Sequence, residues 1–150
     1  MLRCETIHFG TLEYSDASAV EFEDGLPGFE SERRFVVVQR PDHHPLVFLQ
    51  SVDTAGLCFP ALPAQVVDPQ YQLRLSDADS VALGLTDTAN IAGHTVCLAL
   101  IAIHANDPTA NLLAPIVINL LTRAAAQCID PDMRYSHRTP LPVTFEAAAS

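Results

Sequence analysis

Six histidines and four cysteines are the residues of this sequence best suited to bind a metal or transfer a proton. The cysteines are scattered without a CxxC or CxxH pair, and no histidine lies at metal-ligand spacing from a second ligand on one helix face. The pair His43 and His44 lies between prolines, which indicates an exposed loop. We therefore expect no metal site and cysteines that serve as small buried apolar residues. The residues considered are His8, His43, His44, His94, His104, His137, Cys4, Cys58, Cys97 and Cys128.

The sequence lacks the patterns typical of nucleophilic catalysis and of phosphate binding. There is no GxSxG elbow and no GxGxxG loop, and a P-loop cannot be built because the chain contains no lysine. Glu21 and Glu23 could share a strand face as a carboxylate pair, but a solvated strand edge gives the same pattern. We expect a protein without catalytic residues or a cofactor. The alternative is a divergent β-barrel with a small-molecule pocket, including a hydrolase that uses a carboxylate pair.

The charge of the chain bears on its partners. The formal net charge is -10, from 18 acidic and 8 basic residues, and every cation is an arginine. Such a chain repels a phosphate backbone and attracts basic proteins, so we expect no direct binding of nucleic acid. With no apolar run that predicts a signal peptide or a membrane span, we expect a cytoplasmic, monomeric protein that does not bind membranes.

Most of the chain shows the short apolar patterns of β-strands. Polar and apolar residues alternate through the first strands, and Gly10 suggests a tight hairpin between two of them. Pro60 and Pro63 cannot donate ladder hydrogen bonds, which predicts an edge strand or an irregular segment over residues 57–67. The other predicted strands cover residues 7–9, 12–14, 20–22, 35–38, 47–52, 71–75, 95–103 and 116–121.

One helix is predicted from its end signals. Ser76 followed by Asp79 resembles a capping box, and Gly84 supplies the stop. The alanine-rich residues 122–127 are compatible with a helical turn or with a linker into a last strand at Cys128. Many short strands with one or two short helices are typical of an antiparallel barrel or sandwich. We favour the barrel, and we predict a mainly β fold, a small antiparallel β-barrel-like single domain over residues 1–142 with a frayed tail over 143–150.

Two segments are candidates for binding. Residues 21–30 place Leu26 and Phe29 in a turn built from Gly and Pro, so this apolar tip either folds back onto the core or is offered to a partner. Residues 109–119 place Asn111 and Asn119 on either side of an apolar strand, where Asn side chains satisfy backbone groups or contact a partner.

These two segments, with residues 49–53 and 134–138, resemble the flagellar assembly factor FliW family in order and spacing. The resemblance runs from about Ile7 to Leu141. It implies a β-barrel-like protein that binds the basic RNA-binding regulator CsrA and relieves repression of the flagellin message. It also implies that flagellin captures the protein in turn, as a partner switch. On this resemblance, Leu26, Phe29, Asn111 and Asn119 are the predicted partner-binding residues.

The sequence departs from the family pattern at two places. Pro63 and Ala64 stand where the family commonly has an Asp-Pro pair, and residues 124–126 are alanines where lysines are common. We expect these departures to alter the surface offered to one partner.

Overall fold

Most strands of the molecule are only four to six residues long. The computed structural model describes residues 2–85, 93–104 and 107–141. Within them lie eleven strands and two α-helices. In chain order these are β1 (Leu2–Thr6), β2 (Gly10–Tyr14), β3 (Ala19–Phe22), β4 (Arg34–Gln39), β5 (Val47–Ser51), β6 (Cys58–Pro63), α1 (Ala64–Val67), α2 (Asp77–Leu83), β7 (Thr95–His104), β8 (Asp107–Ala110), β9 (Ile116–Asn119), β10 (Ala124–Gln127) and β11 (Thr139–Pro140).

Seven of the strands close into a barrel, in the order β7-β6-β5-β4-β3-β10-β9 and back to β7. The predicted mainly β, barrel-like fold with short helices is therefore confirmed. Neighbouring barrel strands are antiparallel except β3 and β10, which run parallel with Ala124 opposite Glu21. Strands β8 and β11 extend the sheet outward from β7.

Apolar side chains fill the barrel interior. Phe22 and Phe35 meet edge to face at 5.3 Å between ring centres, and Leu49 and Ile116 are fully buried beside them. Because the strands present alternate residues to the inside, the sequence pattern of period two becomes this core. The interior is packed with side chains and holds the barrel together by apolar burial.

Three further apolar clusters lie on the outer face of the barrel. The β1–β2 hairpin packs Cys4 and Tyr14 over β4, and α2 packs Leu83 over β9 and β10. Tyr71 and α1 cover β6 and β7. Cys4 and Cys128 are buried as predicted, whereas Cys58 and Cys97 are half-buried. Burial raises the pKa of Cys97 to about 11 and that of Cys128 to about 12, so both are thiols at neutral pH.

Two details of the first strands and of β6 differ from the sequence prediction. Residues 7–9 form the turn of the first hairpin, and Gly10, at φ 67°, begins β2 opposite Thr6. Strand β6 lies inside the sheet, although its prolines predicted an edge or irregular segment. The reason is its stagger. Residues 58–61 pair with β5 and residues 61–63 pair with β7, so each proline lies where the strand has one neighbour.

The segment over residues 71–75 is not a strand, which corrects a further prediction. Its backbone bonds to side chains: the Gln72 amide donates to the Tyr135 hydroxyl at 3.1 Å, and the Arg134 guanidinium donates to the Gln72 carbonyl at 2.9 Å. These bonds take the place of a ladder partner. Helix α2, in contrast, begins and ends as predicted. The Ser76 hydroxyl accepts from the Asp79 amide, and Gly84 closes the helix in the left-handed conformation.

The alanines of residues 122–127 form neither the helical turn nor the linker that their composition suggested. Residues 124–127 are strand β10, paired with both β3 and β9. Pairing on both sides overrides the helical propensity of alanine. The following residues, which were expected to form a last strand at Cys128, form a loop instead. Residues 142–150, with the predicted domain end and frayed tail, lie outside the described residues, so both stay predictions.

A buried carboxylate organises the loop after β10. Asp130 is 2% exposed and accepts hydrogen bonds from the backbone and guanidinium of Arg134 and from the Asp132 amide. Burial alone would raise the pKa of Asp130, but these hydrogen bonds outweigh burial and lower it.

The depressed pKa of Asp130 predicts an acid-labile contribution to stability. An aspartate in the unfolded chain has a pKa of about 3.9. The contribution is therefore present above that pH and is lost as pH falls toward the lower folded-state pKa. We expect Asp130→Asn to be less stable than wild type at pH 7 and to show a shallower loss of stability between pH 5 and pH 3. Urea unfolding at a series of pH values measures both.

The matched control is Asp42→Asn, which changes an exposed carboxylate in a surface turn. It should keep the wild-type dependence on pH. An Asp130→Asn variant with an unaltered acid slope would contradict the role given to this carboxylate.

Candidate functional site: an acidic groove beside the residue 21–30 loop

The loop over residues 23–33 folds across one end of the barrel. Leu26 is 3% exposed and joins the barrel core, so this half of the apolar tip folds back. Phe29 is 41% exposed and packs edge to face on Phe59, with 5.4 Å between ring centres. The Phe29 amide donates to the Leu26 carbonyl at 2.7 Å, which closes the turn. One apolar residue of the turn is thus an anchor and the other lies at the surface.

A carboxylate fixes the far end of this loop. Glu32 accepts hydrogen bonds from the hydroxyls of Ser51, at 2.6 Å, and Thr54. The Ser51 hydroxyl in turn accepts from the backbone amides of Asp53 and Thr54. The bond from Ser51 and then that from Thr54 lower the pKa of Glu32, so the carboxylate is ionised at neutral pH. The loop is held to the β5–β6 turn by this network.

A groove of about 320 Å³ lies between this loop, helix α2 and strand β10. We call it the acidic groove. Alanines of β10 and α2 form part of its surface, and five carboxylates line it. Its lining residues are Glu21, Glu23, Asp24, Gly25, Pro27, Glu30, Asp79, Ala82, Leu83, Ala124, Ala125, Ala126 and Gln127. Carboxylates around small side chains suit the long side chains of arginine or lysine, which could lie along the alanines and reach the acids with their charged ends.

Asn119 holds one wall of the acidic groove. It is 3% exposed, and its side-chain amide donates to the carbonyl of Leu83, the last residue of α2, at 2.8 Å. Its side-chain oxygen accepts from the Leu121 amide at 2.9 Å. This one side chain therefore joins the end of α2 to the β9–β10 turn.

Asn111 acts at the opposite end of β9. Its side-chain oxygen accepts from the Ala114 amide at 2.9 Å, which shapes the turn before β9. The Ala114 carbonyl then accepts from the side-chain amide of Gln127, a groove residue, at 3.0 Å. The structural role considered for both asparagines is therefore present. None of the four predicted site residues belongs to the described lining of the acidic groove, and their contact with a partner stays a prediction.

Other groove residues were not predicted as a site. Asp79 was assigned only to a helix start, and the alanines of β10 were assigned to a turn or a linker. The sequence does place Glu21 and Glu23 on one face of a strand, because they alternate with the inward residues Val20 and Phe22. What could not be seen was that α2 lies against the same strand pair, which depends on tertiary contacts between distant segments.

The chemistry available elsewhere in the described residues is limited. No group of three His, Cys, Asp or Glu residues among them could hold a metal ion. A larger cavity of about 800 Å³ lies at the other end of the barrel, and its described lining contains no Asp or Glu. The converging acids thus lie in the smaller of the two, the acidic groove between the loop, α2 and β10.

Comparison with known proteins identifies the family. A model of the family described as FliW protein matches residues 3–141. The chain belongs to the FliW family. It is 33% identical to the flagellar assembly factor FliW of Bdellovibrio bacteriovorus over 91% of this chain and 77% of the relative. It is also 33% identical to that of Anoxybacillus flavithermus over 97% of this chain and 99% of the relative.

A crystal structure of the flagellar assembly factor FliW has the same fold. It superposes with a TM-score of 0.83 at 31% identity, over 95% of this chain and 99% of the other. The resemblance to the FliW family, predicted from these segments and from residues 49–53 and 134–138, is therefore confirmed. None of the helices in the described part of this FliW chain is long and apolar enough to cross a membrane.

The glycines of the loop predict its sensitivity to substitution. Gly25 and Gly28 both have positive φ, at 68° and 85°. A Cβ at Gly28 meets no atom within 4 Å, whereas a Cβ at Gly25 would lie 2.5 Å from the Glu30 carbonyl oxygen. We expect Gly28→Ala to cost about 1–2 kcal/mol, the ordinary cost of the left-handed conformation. Gly25→Ala should cost clearly more, because the backbone of the loop must also move.

Urea unfolding of the two variants gives the comparison, with Gly28→Ala as the control for backbone conformation. Equal destabilisation by the two alanines would show that the loop does not pack as described.

Proposed function

We propose that this protein is a cytoplasmic flagellar assembly factor that binds a basic translational regulator of the CsrA type through the acidic groove. Binding weakens the hold of the regulator on the flagellin message and so relieves repression. Flagellin is the second partner, and its capture of the protein returns the regulator to its RNA. On this proposal the protein acts by binding and carries out no catalysis.

The observation that carries the proposal is the acidic groove itself. Its carboxylates lie on a chain of net charge -10, so both the local and the overall field attract a basic partner. On this proposal the carboxylates attract basic residues of the regulator that lie away from its RNA site. Protein and RNA would then weaken each other's binding to the regulator to the same degree, as linkage requires.

The four predicted site residues fit this proposal in two roles. Phe29, the exposed one of the loop pair, contacts the partner from the same loop that supplies Glu23, Asp24 and Glu30 to the groove. Leu26, Asn111 and Asn119 hold the loop, the turn before β9 and the end of α2 in place. The departure at residues 124–126 contributes as well, because alanines leave space in the groove where lysines would fill it with positive charge.

Two alanines of α2 provide a matched test of the acidic groove. Ala82 and Ala78 are both exposed, but only Ala82 lines the groove. We expect Ala82→Arg to weaken binding of the CsrA-type regulator from the same organism at least tenfold, about 1.4 kcal/mol. Ala78→Arg changes the net charge equally and should stay within about twofold of wild type. Isothermal titration at low and moderate salt measures both, and wild-type affinity should fall as salt rises.

Different outcomes test the location of the binding site and the proposed binding of the regulator. Equal weakening by the two variants would assign binding to the overall charge and remove the acidic groove as the site. Absence of binding by the wild-type protein at either salt concentration would overturn the regulator proposal.

A further inference from the structure

A second groove opens at the end of the barrel opposite Leu26. We call it the barrel-mouth groove and define it by Ala17, Val37, Val96, Ile118, Leu120 and Arg123. It has a volume of about 800 Å³, which lies within the range of about 300–1,000 Å³ of sites that hold drug-sized ligands. Its inner part is the apolar core itself, since Val37, Val96 and Ile118 belong to the barrel interior.

The charge of the barrel-mouth groove is opposite to that of the rest of the molecule. Its described lining contains no Asp or Glu, in a chain that has 18 of them, and Arg123 is the charged residue present there. The Arg123 Nε donates to the Ala19 carbonyl at 3.0 Å. Within the described ranges no carboxylate forms an ion pair with Arg123, whereas Arg3, Arg34, Arg74 and Arg134 each form at least one.

The backbone holds Arg123 at the mouth in an uncommon conformation. Its φ is 66°, a left-handed value that is energetically unfavourable for a residue with a Cβ. The Arg123 amide donates to the Asn119 carbonyl at 2.7 Å, and its carbonyl accepts from the Glu21 amide at 2.9 Å. Beside it in the same turn, Leu120 is 41% exposed and Leu121 is 63% exposed. An arginine and two surface leucines thus adjoin an apolar groove.

We propose that the barrel-mouth groove is a docking site for an apolar peptide segment that carries a carboxylate, bound as an ion pair by Arg123. Charge complementarity selects this partner: the apolar walls take aliphatic side chains, and the guanidinium has donors left for a carboxylate. The acidic groove would repel the same segment. The inference goes beyond the regulator proposal and does not depend on it, because it uses a different end of the barrel and the opposite charge.

A pair of peptides tests the site. The probes are two fluorescently labelled hexapeptides of alternating leucine and serine, one with a free carboxyl terminus and one with a terminal amide. We expect the carboxylate peptide to bind wild-type protein about tenfold more tightly than the amide, as measured by fluorescence anisotropy. Arg123→Gln should remove this preference, and Arg123→Lys should restore part of it.

Two further variants keep the test decisive. Arg138→Gln removes an exposed arginine outside the groove and should keep the tenfold preference. Ala17→Trp places a large ring at the exposed rim of the groove and should weaken the binding of both peptides. Because this variant keeps Arg123, its effect cannot come from a change of backbone conformation at that residue. The proposal is overturned if wild-type protein binds neither peptide up to about 1 mM, a threshold that corresponds to -4.1 kcal/mol. It is also overturned if Arg123→Gln still binds the carboxylate peptide more tightly than the amide peptide. A third contrary result would be self-association of the wild-type chain in sedimentation that Ala17→Trp abolishes, because a second copy of the chain would then occupy the barrel-mouth groove.

Discussion

The filled interior of the barrel is the constraint on which the rest of the structure depends. A barrel of about eight strands is just wide enough for side chains to fill, and the seven strands here enclose two phenylalanines and several branched residues. Binding surfaces must therefore lie at the ends or on the outer face. The loop of residues 23–33 covers one end, where Leu26 adds its side chain to the core, and at the other end the described residues form the barrel-mouth groove.

The strand pair β3 and β10 lies between the two grooves. Glu21 and Ala124 line the acidic groove, and Arg123, one residue earlier, lines the barrel-mouth groove. The backbone bond from Glu21 to the Arg123 carbonyl joins the two sites through a single hydrogen bond. A fold with a closed, packed core can in this way offer surfaces of opposite charge to different partners without any change in its interior.

The elements that the sequence predicted best are those set by local chemistry. Helix α2 follows from Ser76 and Gly84, which act on backbone groups within one turn of the helix. Strands β4, β5 and β7 follow from β-branched and aromatic runs. Residues 71–75 and strand β10 were misjudged because their structure depends on distant partners. Tyr135 and Arg134 satisfy the first, and β3 and β9 pair with the second.

The candidate site was accessible from the sequence only in part. The apolar turn and the two asparagines were recognised by resemblance, but their side chains mostly hold in place the elements around the acidic groove. Its carboxylates come from β3, the following loop and α2, and no sequence pattern relates Glu23 to Asp79. Their proximity is a product of barrel closure, which sequence spacing does not encode.

The parallel pairing of β3 with β10 has a consequence for the synthesis of the chain. The Arg123 side chain and the Ala19 carbonyl that it contacts are 104 residues apart in sequence. At a synthesis rate of about 5–20 residues per second, β3 leaves the ribosome several seconds before its partner exists. During that interval the nascent chain exposes Phe22 and Phe35 at an unclosed edge. Completion of the barrel, and of both grooves beside the β3–β10 pair, therefore awaits the synthesis of β10.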